Sequence, residues 1–305
     1  MFEDVVQLVL RNPGSQGYET IYSSTEVEID NELLPFLLPR SKTSPSFPNY
    51  YFKYPINHDF TLIKLVQDDG VDNYNRFKAK VHLFLVPKHV YEQVNGLLFF
   101  ASPLWLNTIS MDMNYPLNYA KDFDIANEVK KKFETSVSKA FLTFLLDKML
   151  FYEHLIIMLE DRDNYQDRIF IMQTLAYLDS KIPSFMRNQI TIKTLTNKNN
   201  FDIANCLLLD HYDSDLPVAD NSFVFPFSSK ILDKVSELVS SKLANAIMSI
   251  ENEEEKESIG RDIFNSKKLV KDELVTNEEF HKLAKRFNIK DTKILTKFFR
   301  NFGLR

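Results

Sequence analysis

The chain has 305 residues, a formal charge of −5 and a hydrophobic fraction of 44%, with 26 Phe, 13 Tyr, a single Cys and only 6 Gly. So few glycines leave no G-x-G-x-x-G frame, no G-x-x-x-x-G-K-[ST] frame and no G-x-S-x-G elbow. Those motifs need glycine where the backbone approaches a phosphate or turns sharply, so the composition argues against a P-loop NTPase, a standard dinucleotide enzyme and an α/β-hydrolase.

Residues 5–10 (Val-Val-Gln-Leu-Val-Leu) read as a strand, the run Asn12-Pro13-Gly14 to Gly17 as a turn, and Tyr18 to Ser23 as a second strand, giving an N-terminal hairpin. Asp30 is placed to cap a short helix through Leu38. Arg40 to Pro48, rich in Pro and Ser, reads as a loop. Tyr50 to Ile56 and Phe60 to Val66 are β-rich, and Asp68-Asp69-Gly70 suggests a turn between strands. Phe77 to Val86 follows as a long strand with Phe77, Ala79, Val81, Leu83 and Leu85 expected to point inward, and a short helix runs on to Val94. The order β-β-α-β-β-β-α with short turns predicts an antiparallel α+β domain over 1–105, in the order of longin- and roadblock-like sandwiches. Fold analogy of this kind associates the domain with GTPase regulators and trafficking machinery.

From 123 to 250 the pattern predicts a helix-rich α/β domain. Phe133, Val137, Phe141, Phe144, Met149, Tyr152, Ile156 and Leu159 keep helical spacing, which suggests one long buried helix. Arg168 to Leu178 predicts a second helix, stopped before Pro183. Gln189 to Thr196 and Phe201 to Leu209 read as strands, and Ile231 to Ile250 as an amphipathic helix. Beyond the acidic stretch 251–257, Thr276 and Glu279 form a capping box, and Asp291 caps a last helix that ends at Gly303. Residues 258–305 are thus expected to be a basic helical hairpin tail. From residue 256 onward there are 13 Lys/Arg against 7 Asp/Glu, so this part carries +6 and the rest −11. An acidic body with a basic tail suits a docking arm or an internal charge match, and a solvated helix surface equally well.

Cys206 has no second cysteine to pair with, no signal peptide is visible at the start, and no stretch of 18 apolar residues occurs, so a soluble cytoplasmic chain is expected. Candidate chemistry is sparse, and no metal, cofactor or catalytic set is predicted. His82 lies in the long strand, as a half-buried histidine or as part of a polar site. Asp210-His211-Tyr212-Asp213-Ser214-Asp215 is the densest ligand-like run, but it lacks the glycine and closing Glu of an EF-hand loop and reads as an acidic turn. Leu283 to Phe298 has helix-turn-helix spacing, with Lys290, Lys293, Lys297 and Arg300 available to phosphates or to a protein partner, so a nucleic-acid adaptor stays open beside a helical docking hairpin. An enzyme of unrecognised type would need Arg76, His82 and the Asp210–Asp215 run to converge.

Several segments carry a resemblance. Gln7-Leu8-Val9, Gly17-Tyr18, Ser23-Ser24, Tyr50-Tyr51-Phe52, Lys64-Leu65-Val66, Asp68-Asp69-Gly70, Arg76, His82, Leu83 to Pro87 and Tyr91 follow one another as in a known pattern. Together they resemble the N-terminal domain of bacterial and archaeal GTPase-associated adaptor proteins, the GTPase-associated protein one family. Leu178 to Pro183, Gln189 to Thr194 and Phe201-Asp202 look like that family's middle part. A longin-like domain followed by an α/β domain also resembles the layout of DENN-type exchange factors. The resemblance implies a non-enzymatic adaptor or regulator of a small GTPase, with GTP or GDP bound by the partner. Arg76, His82, Asp68, Asp69 and Tyr91 are then the candidate partner-binding residues, and Arg76 is the first choice for a polar contact, with a structural ion pair as the alternative.

Overall fold

The computed structural model describes residues 4–12, 19–24, 50–56, 60–93, 128, 130–152, 154–161, 164–183, 187, 190–194, 206–209, 222–232, 240, 242–252 and 254–258. They form a mixed α+β structure around a nine-stranded sheet of order β2-β1-β5-β4-β3-β7-β8-β6-β9. The strands are β1 (Val6–Asn12), β2 (Glu19–Ser23), β3 (Tyr50–Ile56), β4 (Phe60–Val71), β5 (Phe77–Pro87), β6 (His154–Leu159), β7 (Ile192–Thr194), β8 (Cys206–Leu209) and β9 (Ser222–Phe227). The first five pair antiparallel throughout, as their alternation and short connections predict. β7, β8, β6 and β9 run parallel. The seam between the two halves is antiparallel, with Phe52 and Lys53 of β3 opposite Lys193 and Ile192 of β7. The strands expected in two separate sheets therefore share one.

The described helices are α1 (Lys88–Gln93), α2 (130–136), α3 (Lys139–Phe151), α4 (Tyr165–Lys181), α5 (Lys242–Ser249) and α6 (254–258). One continuous core joins Phe141, Leu145 and Leu150 of α3, Ile171, Leu175 and Leu178 of α4, and Ala244 and Ile247 of α5 to one face of the sheet. That face carries Ile63, Phe84, Val86, Leu155, Ile157, Ile192, Phe225 and Phe227. Phe141 and Phe170 stack at 6.0 Å, Phe170 and Phe227 at 5.6 Å, so much of the chain's aromatic content is used between helices and the parallel strands. The opposite face is buried as well, at Leu8, Leu10, Leu62, Val81 and Leu83.

Four expectations change. The long strand β5 is expected to point Val81, Leu83 and Leu85 inward, but the alternate set Phe84 and Val86 meets the helices, because both faces of this central strand are buried. The expected helix from Phe133 to Leu159 is three elements. It breaks at 137–138, resumes as α3, and ends at an extended Tyr152 (φ −113°, ψ 147°) before β6. Leu155 to Leu159 is an unbroken apolar run, buried at every position, and such a run satisfies helical spacing while fitting a central parallel strand. The expected helix over Ile231 to Ile250 is likewise not continuous among the described residues, which form a 3₁₀ turn at 229–232, no helix at residue 240 and a helix over Lys242–Ser249. Asp68-Asp69-Gly70 is no turn. These residues continue β4, and the β4–β5 register shifts between Asp68 and Val71, where Gly70 adopts φ +83°. The chain reverses instead at Asp72 to Arg76. The expected helix at 30–38, the loop 210–215 and the whole tail from 259 lie outside the described residues.

α4 starts where Asn164 Oδ1 accepts a hydrogen bond from Asp167 N at 3.1 Å. Asp167, in the first turn, also accepts from Ser229 N at 3.1 Å and so fixes the exit of β9 to the helix start. Asn164→Ala is expected to destabilise the fold by about 1 kcal/mol, read as a shift in the urea midpoint at unchanged slope. An unchanged midpoint would show that the cap contributes nothing.

Candidate functional site

Among the described residues, two polar groups bear on the candidate residues, one inside and one at the end of the sheet. The inner one begins with β3. Register puts Lys53 opposite Ile63 and Ile192, two residues of the helix-side core, so this lysine is aimed into the apolar layer and is fully buried. A buried ammonium is tolerated only when paired and hydrogen-bonded. Lys53 Nζ lies 2.6 Å from Asp179 Oδ1 and donates to the Arg187 carbonyl at 2.6 Å. It also sits 4.8 Å from the centre of the Tyr91 ring. Tyr91 Oη donates to the other Asp179 oxygen. Arg187 closes the group: Nη1 donates to the Tyr91 carbonyl at 3.3 Å, and Nη2 to the Ser180 and Ile182 carbonyls at 3.2 and 3.1 Å. Lys256 of α6 is buried too and donates to the Ser180 carbonyl at 3.0 Å.

Three cations thus gather where α4 ends. That end presents unsatisfied carbonyls and the negative pole of the helix, and it also carries the Asp179 carboxylate. The group joins β3, α1, the end of α4, the segment at 187 and α6. Its members are closed to solvent, so it can fix these elements but cannot receive a substrate.

The outer place is the β4–β5 turn. Asp72 Oδ1 accepts from Tyr74 N at 2.9 Å and from Arg76 N at 2.8 Å, and its Oδ2 pairs with Arg76 Nε at 2.7 Å. Asp72 N donates to the Arg76 carbonyl and Asn75 N to the Asp72 carbonyl, both at 2.9 Å, with Asn75 left-handed at φ 59°. Asn tolerates that conformation better than most residues. Desolvation works against the Asp72 carboxylate, but the hydrogen bonds from Arg76 and Tyr74 and the guanidinium charge together outweigh it and hold its pKa below the ordinary value. The Arg76 guanidinium lies 4.9 Å from the centre of the Tyr74 ring.

The residues singled out from the sequence fall as follows. Arg76 is exposed and ion-paired to Asp72. His82 is fully buried and stacks on Phe84 at 4.2 Å, and burial pushes its pKa down to about 3. Tyr91 belongs to the buried group around Lys53. Arg76 and Tyr91 flank opposite ends of the 11-residue β5, about 35 Å apart along an extended strand. Asp68 and Asp69 lie in β4, but their side chains are outside the described residues, as are Lys290, Lys293, Lys297, Arg300 and Asp210–Asp215. Arg76, His82 and Tyr91 therefore do not form one surface. The sequence did not single out Lys53, Asp179, Arg187 or Tyr74. The available signal was a lone lysine inside the aromatic strand Tyr50 to Tyr54 and a lone aspartate closing the apolar run Leu175 to Leu178.

Among the described residues no cluster of His, Cys, Asp and Glu is arranged to hold a metal ion, and no helix is long and apolar enough to cross a membrane. No model of a known protein family matches the chain, and no curated protein matches it either.

Proposed function

We propose that the chain is a non-enzymatic adaptor or regulator that binds a small GTPase, the GTP or GDP being carried by the partner. The observation that supports this is how the polar groups are used. Lys53, Tyr91, Asp179, Arg187 and Lys256 bind the chain to itself, while Arg76 stands at an exposed turn held by several hydrogen bonds. Such a distribution suits recognition by surface complementarity better than chemistry in a cleft. The antiparallel order β2-β1-β5-β4-β3, followed by α1, favours the longin-like layout for the first part of the chain. The scarcity of glycine then has a simple meaning, because the phosphate loop belongs to the partner.

Purified small GTPases encoded in the same genome, loaded with GDP or a non-hydrolysable GTP analogue, provide the test. Binding to at least one of them with a preference of about tenfold or more for one nucleotide state is expected, measured by biolayer interferometry. Absence of binding in both states would overturn the proposal. Accelerated release of labelled GDP from the bound GTPase would assign the exchange role, and unchanged release a pure adaptor role.

A further inference from the structure

We propose that Lys148 is a site of dimethylation, and that the fold itself supplies the cage that holds the methylated side chain. The last turns of α3, its cap residue Tyr152 and the start of β9 surround this lysine with aromatic rings. Its Nζ lies over Phe144, Phe223 and Tyr152, 4.9, 5.1 and 5.9 Å from the ring centres. The rings stand at 74° between Phe144 and Phe223 and at 49° between Tyr152 and Phe223, so they form walls and not a stack. Asp147 Oδ2 closes the cage at 2.9 Å from Nζ. Ring faces grouped around one cation are the means by which methylated ammonium groups are recognised.

The distances suit a methylated nitrogen better than a bare one. An N–C bond is about 1.5 Å long, so a methyl carbon directed at Phe144 or Phe223 would sit about 3.5 Å from the ring centre, at carbon–carbon contact distance. A hydrogen in the same direction leaves that space part-filled. The number of methyl groups follows from the hydrogen bonding. The ammonium has three N–H groups, and among the described residues it meets one acceptor, Asp147 Oδ2, and three ring faces. Two N–H groups can be replaced without costing a hydrogen bond within the protein, whereas a third methyl would remove the proton that Asp147 accepts. Methylation also keeps the positive charge that the carboxylate and the rings hold.

The methyl groups come from a sulfonium donor of the S-adenosylmethionine class, through a lysine methyltransferase of the host. In each round Nζ first loses a proton to a base of that enzyme, and its freed lone pair forms the N–C bond. The C–S bond breaks, and sulfur keeps the pair and leaves as a neutral thioether. After two rounds two protons have left and Nζ is still a cation with one N–H. The folded side chain is 14% exposed. The transferase therefore acts before β9 brings Phe223 over the lysine, while the cage has only the walls from α3 and its cap.

The test takes the full chain from its own cells. Cleavage after glutamate releases residues 135–153 as one peptide, which holds both Lys139 and Lys148. Lys139, exposed at the start of α3 and bonded to Ser249 Oγ, is the internal control. Fragmentation by mass spectrometry is expected to place two methyl groups on Lys148 and none on Lys139. An unmodified or trimethylated Lys148, or equal methylation of Lys139, would overturn the proposal. Replacing Lys148 by genetically encoded dimethyl-lysine in the recombinant full chain should raise the thermal midpoint by about 2–4 °C. Phe223→Leu, which removes one wall, should abolish most of that rise. Equal midpoints with and without the methyl groups would show that the cage does not prefer them, and would overturn the proposal too. Neither readout involves a GTPase, so this inference and the proposed function stand or fall separately.

Discussion

Lys53→Met is expected to lower stability by about 3–5 kcal/mol, the range for removing one partner of a buried ion pair. Two effects are in play and differ in size. A lost hydrogen bond between well-paired groups contributes about 1–1.5 kcal/mol. The larger effect is the Asp179 carboxylate, left fully buried without its cation and holding only the Tyr91 hydroxyl among the contacts described above. The double variant Lys53→Met/Asp179→Asn separates them. It removes the stranded charge while keeping an oxygen for Tyr91, so it should be more stable than Lys53→Met alone, by urea denaturation followed with tyrosine fluorescence and circular dichroism. If the double variant is the less stable of the two, the stranded charge is not the main cause of the loss. A fall under 1 kcal/mol for Lys53→Met would show that the buried group is not what joins β3 to α4.

The second large effect concerns pH. His82 is neutral inside the fold, with a pKa near 3 against an ordinary value of 6.5. Unfolding releases a ring that takes up a proton below its ordinary pKa. The stability this residue contributes is therefore complete above pH 6.5 and is lost as pH falls toward 3. The slope is about 1.4 kcal/mol per pH unit, which amounts to about 2 kcal/mol at about pH 5. Carboxylates also titrate in that window, so the informative quantity is a difference. His82→Phe preserves the stack on Phe84 and has no proton to gain. Its stability relative to wild type should rise by about 2 kcal/mol between about pH 7 and pH 5, whatever constant effect the larger ring has on packing. Parallel pH curves for the two proteins would show that His82 does not titrate in this way.

The antiparallel half was readable from the sequence because its information is local. Alternation at Phe60 to Val66 and Phe77 to Val86, with turns between, specifies strand and neighbour together. Even there, which of two buried faces meets the helices was not readable, since Val81-His82-Leu83-Phe84 is covered on both sides. β6 was hidden because five apolar residues in a row match either period. β9 was missed for another reason. Pro226 disqualifies a central strand, and the sequence does not reveal that β9 pairs only with β6 among the described strands, where a missing N–H is tolerated. Pro55 in β3 is accommodated similarly, beyond the short stretch that β7 reaches. The buried polar group had no local signature at all. Lys53 meets its partners 126 and 134 positions later in the chain, and nothing at either end announces the other. Arg76 was the opposite case. It was chosen through a resemblance, and the structure gives it the ion pair with Asp72 that a four-residue spacing allows.

The seam at β3 and β7 also sets an order of events during synthesis. Residue 53 emerges 126 residues ahead of residue 179, which at about 5–20 residues per second is roughly 6–25 s. Throughout that interval β3 has its β4 neighbour but not β7, and Lys53 has neither its carboxylate nor the Arg187 carbonyl. The nascent antiparallel half waits with its β3 edge open and a cation on what will become its buried face. An open edge invites pairing with other chains, and a charge at that position opposes it. The same lysine that later ties the two halves together thus acts, before α4 exists, as a guard on the ribosome-bound chain.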